Sequence, residues 1–307
     1  MAPPDPAEVV LAAGARGASP LRAALVTMRP RQWIKNGLIL AAAGAAGALG
    51  RDDVPVRVGL ACLAFCLISG GIYAINDVRD RHEDRLHPRK RFRPVAAGAI
   101  SSRRALTLGV STIAAGLAVC LAVRPLLGLV AVAYVALTLS YTLLWREVVL
   151  IDLVAIAGGF VLRAVAGGVA APVTLSRWFL LVITAAAIMV AAGKRHSELM
   201  RTTVAGIHRR RVLERYSAGR LMAILAASAL VALFAYCMWA AALPSVGGIP
   251  WRPLSAIPFA ACLARYGSLV RLGAGEAPEE LVLGDPLLAF FGVAWIAVFA
   301  LGVHAAG

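Results

Sequence analysis

Apolar residues in this chain come in long blocks rather than in alternation. Read along the sequence, the blocks predict nine helices, at about 36–50, 56–75, 104–123, 126–145, 148–171, 176–193, 217–242, 254–272 and 286–305, the first being the shortest. A membrane β-barrel would need strands of period two, which these Ala- and Leu-rich runs do not show, whereas a helix satisfies its own backbone in lipid. The predicted fold class is therefore all-α, a polytopic membrane bundle of nine transmembrane helices. Residues 1–20 are rich in Ala, Pro and Gly, and no basic region precedes their weak apolar patch Val9–Ala13, so they are read as a disordered tail and not as a secretory signal. The remainder, 21–307, is expected to form one transmembrane catalytic domain with long cytoplasmic loops at 76–103 and 194–216.

Composition agrees with that reading. Of 307 residues 60% are hydrophobic and only 15% charged, well away from a soluble domain. Lys and Arg number 31 against 16 acids, and most of the cations fall in the tail and in the two long loops. The opposite loops hold only Arg51, Arg57, Arg124, Arg177 and Arg252, which predicts a cytoplasmic N-terminus by the positive-inside rule. A net charge of +15 invites a nucleic-acid reading. Anionic lipid and the orientation rule already account for cations placed beside membrane spans, so no nucleic-acid partner is expected. Cys62, Cys66, Cys120, Cys237 and Cys262 lie in apolar segments without a paired loop pattern and imply no disulfide. Gly70-Gly71, Gly158-Gly159 and Gly167-Gly168 read as sites of close helix approach.

Candidate chemistry concentrates where the second apolar block ends. Asn76, Asp77, Asp80 and Asp84 follow one another at steps of one, three and four residues, so on a helix end the acids share a face. Magnesium takes oxygen ligands, keeps several waters and is usually held by one or two carboxylates plus substrate phosphates, so this face predicts a Mg2+ cofactor with a polyphosphate substrate. The same loop continues into Arg85-Leu86-His87-Pro88-Arg89-Lys90-Arg91-Phe92-Arg93-Pro94. Acids for the metal beside cations for phosphate oxygens suit a Mg-diphosphate better than a bare ion. The structural alternatives are a solvated, salt-bridged loop and a positive-inside anchor.

A second charged cluster opens the loop after the sixth block, with Lys194, Arg195 and Glu198. Asp152 and Arg163 sit eleven residues apart in the fifth block, nearly on one helix face and about 16 Å apart along the axis. An intramembrane Arg is costly unless paired or hydrated, so Arg163 is either a structural partner to backbone and carboxylates or a cavity-lining residue. Near the first block, Arg29-Pro30-Arg31-Gln32-Trp33-Ile34-Lys35-Asn36 places an interfacial Trp among cations, a pattern that anchoring alone explains as well. The last loop on that side holds Arg265, Tyr266, Glu276, Glu279 and Glu280. The five histidines show no HExxH spacing, so zinc is not expected.

Asn76-Asp77-x-x-Asp80-x-x-x-Asp84 after the second block of a nine-block chain resembles the UbiA-type intramembrane prenyltransferase superfamily. Within it, Arg29-Pro30-Arg31-Gln32-Trp33-x-Lys35-Asn36, Lys90-Arg91-Phe92-Arg93-Pro94, Gly193-Lys194-Arg195 and Gly275-Glu276-x-Pro278-Glu279, in that order, look like the decaprenyl-phosphate phosphoribosyltransferase branch, over roughly residues 20–305. Most of the superfamily is similar in a second Asp-rich motif after the sixth helix. This chain has Lys194-Arg195-x-x-Glu198 there, which suits direct phosphate binding.

The resemblance implies transfer of 5-phosphoribosyl from phosphoribosyl pyrophosphate to decaprenyl or a related polyprenyl phosphate. The product is a 5-phosphoribosyl lipid that feeds cell-wall arabinan synthesis, made at a cytoplasm-facing site of the bacterial inner membrane. It also implies that Asp77, Asp80 and Asp84, assisted by Asn76, carry Mg-diphosphate. Lys90, Arg91, Lys194 and Arg195 then serve phosphate, and Lys35, Asn36, Arg85, Tyr141, Asp152, Arg163 and Glu198 bind substrate or line the pocket. The nearest alternative is a prenyltransferase that moves a prenyl group from its diphosphate to an aromatic acceptor. A transporter or a noncatalytic scaffold would explain the spans but not metal-spaced acids beside a basic run, and assembly into a homo-oligomer is left open.

Overall fold

The computed structural model describes residues 19–87, 90–145, 151–205, 217–242, 249–275 and 277–304. The tail expected over 1–20 lies outside the described residues up to 18; Ser19 and Pro20 open the first helix. The regular elements are helices: α1 (Pro20–Thr27), a 3-10 segment (Pro30–Gly37), α2 (Leu38–Ala45), α3 (Val54–Arg79), α4 (Arg81–Leu86), α5 (Ser102–Val123), α6 (Pro125–Ser140), α7 (Ile151–Ala170), α8 (Arg177–Ala205), α9 (Ala218–Ala241), α10 (Trp251–Leu254), α11 (Ala256–Arg271), α12 (Pro278–Gly284) and α13 (Pro286–His304). Among the described residues eight stretches are long and apolar enough to cross a membrane. They correspond to eight of the nine expected blocks.

The exception is the first block. Its helix is broken into the 3-10 segment, the eight-residue α2 and a further 3-10 turn at Ala48–Gly50, with Gly47 at φ 63° ending α2. α2 rises about 12 Å, and the 3-10 segment that runs directly into it about 16 Å more, so the two together are comparable with the hydrocarbon thickness although neither is a long α-helix. The sixth block differs in the other direction. α8 runs on past 193 to Ala205, so the stretch expected to be loop from 194 is helical for its first half, and 206–216 lie outside the described residues.

The chain divides into two compact units, one of residues up to Gly37 with Val56–Thr142, the other of Leu38–Pro55 with Leu143–Gly307. In the first unit α3 and α5 approach so closely that a Cβ on Gly71 would sit 2.5 Å from the Gly109 carbonyl oxygen, and one on Gly116 2.7 Å from that of Ala64. Small residues there let two backbones meet where lipid supplies no hydrophobic drive. α5 and α6 form a hairpin through one extended residue, Arg124, with Pro125 opening α6. Ala23, Val95, Ile100 and Ala105 make a small core that fastens the loop after α4 against α1 and α5.

In the second unit α8 packs on α9 and α7, and α2 on α7. A Cβ at Gly167 would fall 1.9 Å from the Ile39 carbonyl oxygen, so α7 accepts α2 only because position 167 has no side chain. One core gathers Val182, Tyr236 and Phe259 with Trp239, Trp295 and Phe299. Its centre, Tyr236, is fully buried, and its hydroxyl takes a hydrogen bond from Trp295 Nε1 at 2.8 Å and shares one with Ser255 Oγ at 2.6 Å. A second core of Met189, Leu225, Tyr266, Val270 and Leu288 lies nearer the α8 cations.

Candidate active site

In the first unit, the apolar run of α3 ends in Asn76 and Asp77, and the chain passes through Asp80 into α4, where Asp84 lies in the first turn. The amide of Asp80 donates to Asn76 O at 2.9 Å and that of Asp84 to Asp80 O at 2.8 Å, so helical hydrogen bonding crosses the junction. That continuity keeps the expected spacing, and all three aspartates are buried, Asp77 to 1% exposure, Asp84 to 3% and Asp80 to 8%. Buried carboxylates need partners, and Asp77 and Asp84 find them in two arginines.

Arg93 follows the 3-10 turn Lys90–Phe92, and its Nη1 donates to Asp84 Oδ2 at 2.7 Å and to Asp77 Oδ1 at 3.4 Å. One guanidinium nitrogen thus serves both carboxylates, which fixes them facing a common point. Arg29, at the end of α1, donates through Nη2 to the same Asp77 oxygen, and its guanidinium lies over the Tyr73 ring, 5.0 Å from the centroid. Its backbone sits at φ 54°, a left-handed conformation that a non-glycine residue adopts at a cost of about 1–3 kcal/mol. Neither Arg29 nor Arg93 stands among the residues expected at the site, although both lie in segments that carry the resemblance. The pairs form across sequence separations of 48 and 16 or 9 residues, which no local pattern shows.

The other expected residues divide by environment. Asn36 is buried, but its amide is committed to α3, donating to Ser69 Oγ and Cys66 Sγ, each at 3.3 Å. Lys35 Nζ donates to Gln32 Oε1 at 3.3 Å, and Trp33 Nε1 to Met28 O at 3.1 Å. Arg85 is exposed and its Nε donates to Ala96 O at 3.0 Å, bracing the loop. Arg91 lies over the Phe92 ring, and the Lys90 amide donates to His87 Nδ1 at 3.3 Å. Tyr141 opens a π-helical turn, Tyr141–Trp145, and is half-buried. Arg89 lies outside the described residues.

In the second unit, Lys194, Arg195 and Glu198 project from α8. Arg195 is buried and donates to Glu198 Oε2 one turn away. Between them Ser197, fully buried, accepts the Gly275 amide at 2.8 Å. This strap lies so close that a Cβ at Gly275 would meet Ser197 Oγ at 2.9 Å and Gly193 O at 3.0 Å. Asp285, between α12 and α13, takes two hydrogen bonds from Arg265 of α11, which hold its carboxyl below the usual carboxylate range. Arg163, on α7, is buried, its Nη1 donates to Gly159 O at 2.9 Å, and its guanidinium lies 5.8 Å from the centroid of the Phe160 ring. Asp152 occupies α7, its side chain outside the described residues.

Among the described residues no three or more His, Cys, Asp or Glu gather as a self-sufficient metal cage. What α3 and α4 build is a pair of buried carboxylates facing one point, with Asp80 at the turn between them. That donor set fits a hard dication that keeps waters and completes its shell with phosphate oxygens.

Comparison with known proteins agrees with the fold. The model of the UbiA prenyltransferase family matches residues 37–293. Two curated relatives are called decaprenyl-phosphate phosphoribosyltransferase. The one from Corynebacterium glutamicum is 36% identical over 90% of this chain and 85% of its own length. The one from Mycobacterium tuberculosis is 37% identical over 90% of this chain and 92% of its own. The solved structure of a UbiA homolog from Archaeoglobus fulgidus, bound to GPP and Mg2+, superposes with a TM-score of 0.68 at 17% identity, covering 92% of this chain and 99% of that one. The all-helical fold, the acidic end of α3 and the family match lead to one statement of kinship: this chain belongs to the UbiA prenyltransferase family.

Proposed function

We propose that the protein transfers 5-phosphoribosyl from phosphoribosyl pyrophosphate to decaprenyl phosphate or a related polyprenyl phosphate. The product is 5-phosphoribosyl-monophosphoryl-polyprenol and the leaving group is diphosphate. The observation that carries the reading is the buried Asp77–Asp84 pair bracketed by Arg29 and Arg93, a site that offers both signs of charge to a substrate rich in phosphate. Its support from comparison is the shared name of relatives that align along nine-tenths of the chain.

In the reaction, an oxygen of the lipid phosphate forms a bond to the anomeric carbon while the bond from that carbon to diphosphate breaks. The bonding pair leaves with the diphosphate. The acceptor is already anionic, so no side chain has to remove a proton, and the work left to the protein is positioning and stabilising the departing charge. Asp77 and Asp84, with Asn76 and Asp80 at the same helix junction, would hold Mg2+. A dication held by these residues would supply positive charge against the departing diphosphate. Lys90 and Arg91, and in the second unit Lys194 and Arg195, are proposed phosphate ligands. Lys35, Asn36, Arg85, Tyr141, Asp152, Arg163 and Glu198 are proposed to shape or brace the pocket.

The cation-rich termini of α3 and α8 are proposed to face the cytoplasm of a bacterial inner membrane, where positive residues are retained and where a soluble sugar donor is available. A lipid product made there fits supply to cell-wall arabinan.

The test is a choice of substrates offered to membranes containing the protein. Labelled phosphoribosyl pyrophosphate with polyprenyl phosphate should give a labelled lipid. A prenyl diphosphate with an aromatic acceptor should give no prenylated product, and the reverse outcome would establish the rival prenyl transfer.

A further inference from the structure

Arg93 and Arg29 neutralise Asp77 and Asp84 one for one, two cations against two carboxylates. The four groups differ sharply in exposure. The carboxylate side chains are exposed to only 1% and 4%, whereas those of Arg29 and Arg93 are exposed to 21% and 25%. The acids are therefore on the buried side of the cluster, and the arginines on its more exposed side.

A lone divalent ion entering here would meet, in Asp77 and Asp84, carboxylates that already have guanidinium partners. It would have to displace two guanidinium groups from their carboxylates, or share the carboxylates with them at a repulsive distance. A diphosphate arriving with the ion removes that obstacle. Its oxygens take the guanidinium groups, whose planar donor forks suit phosphate as well as carboxylate, while the carboxylates pass to the metal. Every charge then keeps a partner throughout the exchange.

Resting on the metal and phosphate reading above, we infer that Arg93, with Arg29 beside it, is a resident counter-cation that makes divalent metal and diphosphate bind as one unit. It is a positioning residue that holds the empty acids together and refuses a metal unaccompanied by phosphate. The left-handed backbone of Arg29 fits this role, since strain held at the end of α1 aims its guanidinium at Asp77 instead of into solvent.

The experiment measures Mn2+ binding, by electron paramagnetic resonance, to the purified full-length protein in detergent, with and without saturating inorganic diphosphate. For the wild type the expected result is weak binding alone and binding about tenfold or more tighter with diphosphate, a coupling in the usual range for linked sites. Arg93→Gln should tighten Mn2+ binding in the absence of diphosphate and reduce the coupling to within about threefold of unity. Arg93→Lys, which keeps the charge, should retain most of it, and Arg29→Gln gives the same reading should Arg93→Gln fail to fold. A wild-type ratio near one, or full coupling retained in Arg93→Gln or Arg29→Gln, overturns the inference and leaves Arg93 an ordinary ion pair. Asp84→Asn is the separate control. If it binds Mn2+ with diphosphate as well as the wild type does, the metal reading itself fails and this inference with it.

Discussion

Arg93 places a single guanidinium nitrogen 2.7 Å from Asp84 Oδ2, and through that bond a loop residue controls a carboxylate on the short helix α4. Removing the arginine leaves Asp84 buried beside Asp77 without its cation. Arg93→Gln is therefore expected to lower the unfolding temperature in detergent, by the equivalent of about 2 kcal/mol. Asp84→Asn, which removes the charge that needs pairing, should cost less. The double variant should show a coupling of about 1 kcal/mol or more, as residues in direct contact do. Strict additivity would mean that the pair contributes nothing.

Asn36 belongs to the packing of the first unit as much as to any pocket. Its amide is spent on Ser69 and Cys66 of α3, so Asn36→Leu should destabilise the protein by about 1–3 kcal/mol, the cost of orphaning buried polar groups. KM for phosphoribosyl pyrophosphate, measured on the folded fraction, should change little. A large rise in KM with unchanged stability would return Asn36 to the substrate.

Gly167 is a point of close approach between α7 and α2. With the Ile39 carbonyl oxygen 1.9 Å from where a Cβ would stand, Gly167→Ala cannot be absorbed by turning a flexible side chain. Overpacking of this kind costs about 1–3 kcal/mol and more where backbone must move. The expected readout is loss of the monodisperse peak in detergent size-exclusion chromatography, whereas Gly219→Ala, which would meet only Ser217 Oγ at an ordinary 3.9 Å, should behave as wild type.

Ser197 supplies the acceptor for the buried Gly275 amide. Ser197→Ala should cost about 1–3 kcal/mol and speed amide exchange at Gly275 in hydrogen-exchange measurements. Unchanged exchange at Gly275 would show that the strap after α11 is held by packing alone.

Eight of the nine blocks were legible because hydropathy is what lets a helix cross lipid. The first is not among the eight because its winding changes from 3-10 to α at Leu38 and stops before Gly47, features that hydropathy does not weigh. The end of α8 misled in the opposite sense. Lys194, Arg195 and Glu198 end the apolar run, but a helix is continued by its backbone hydrogen bonds, and Arg195–Glu198 is a pairing that only helical spacing provides. At the site, the spacing of Asp77, Asp80 and Asp84 was local and could be read. The cations that neutralise them, Arg29 and Arg93, come from the end of α1 and from the loop beyond α4, and only the fold brings them there.

The central claim is that the acids at the end of α3 and the start of α4 serve, through a divalent ion, the departure of diphosphate from a phosphoribosyl donor. The direct measurement is the initial rate at which label from phosphoribosyl pyrophosphate enters polyprenyl phosphate in membranes, with magnesium or with chelator, for the wild type and Asp84→Asn. The account predicts a magnesium-dependent wild-type rate and a fall of about 100-fold or more in Asp84→Asn, the scale on which removing one stabiliser of leaving charge acts. Label entering lipid at equal rates in all four conditions would contradict it.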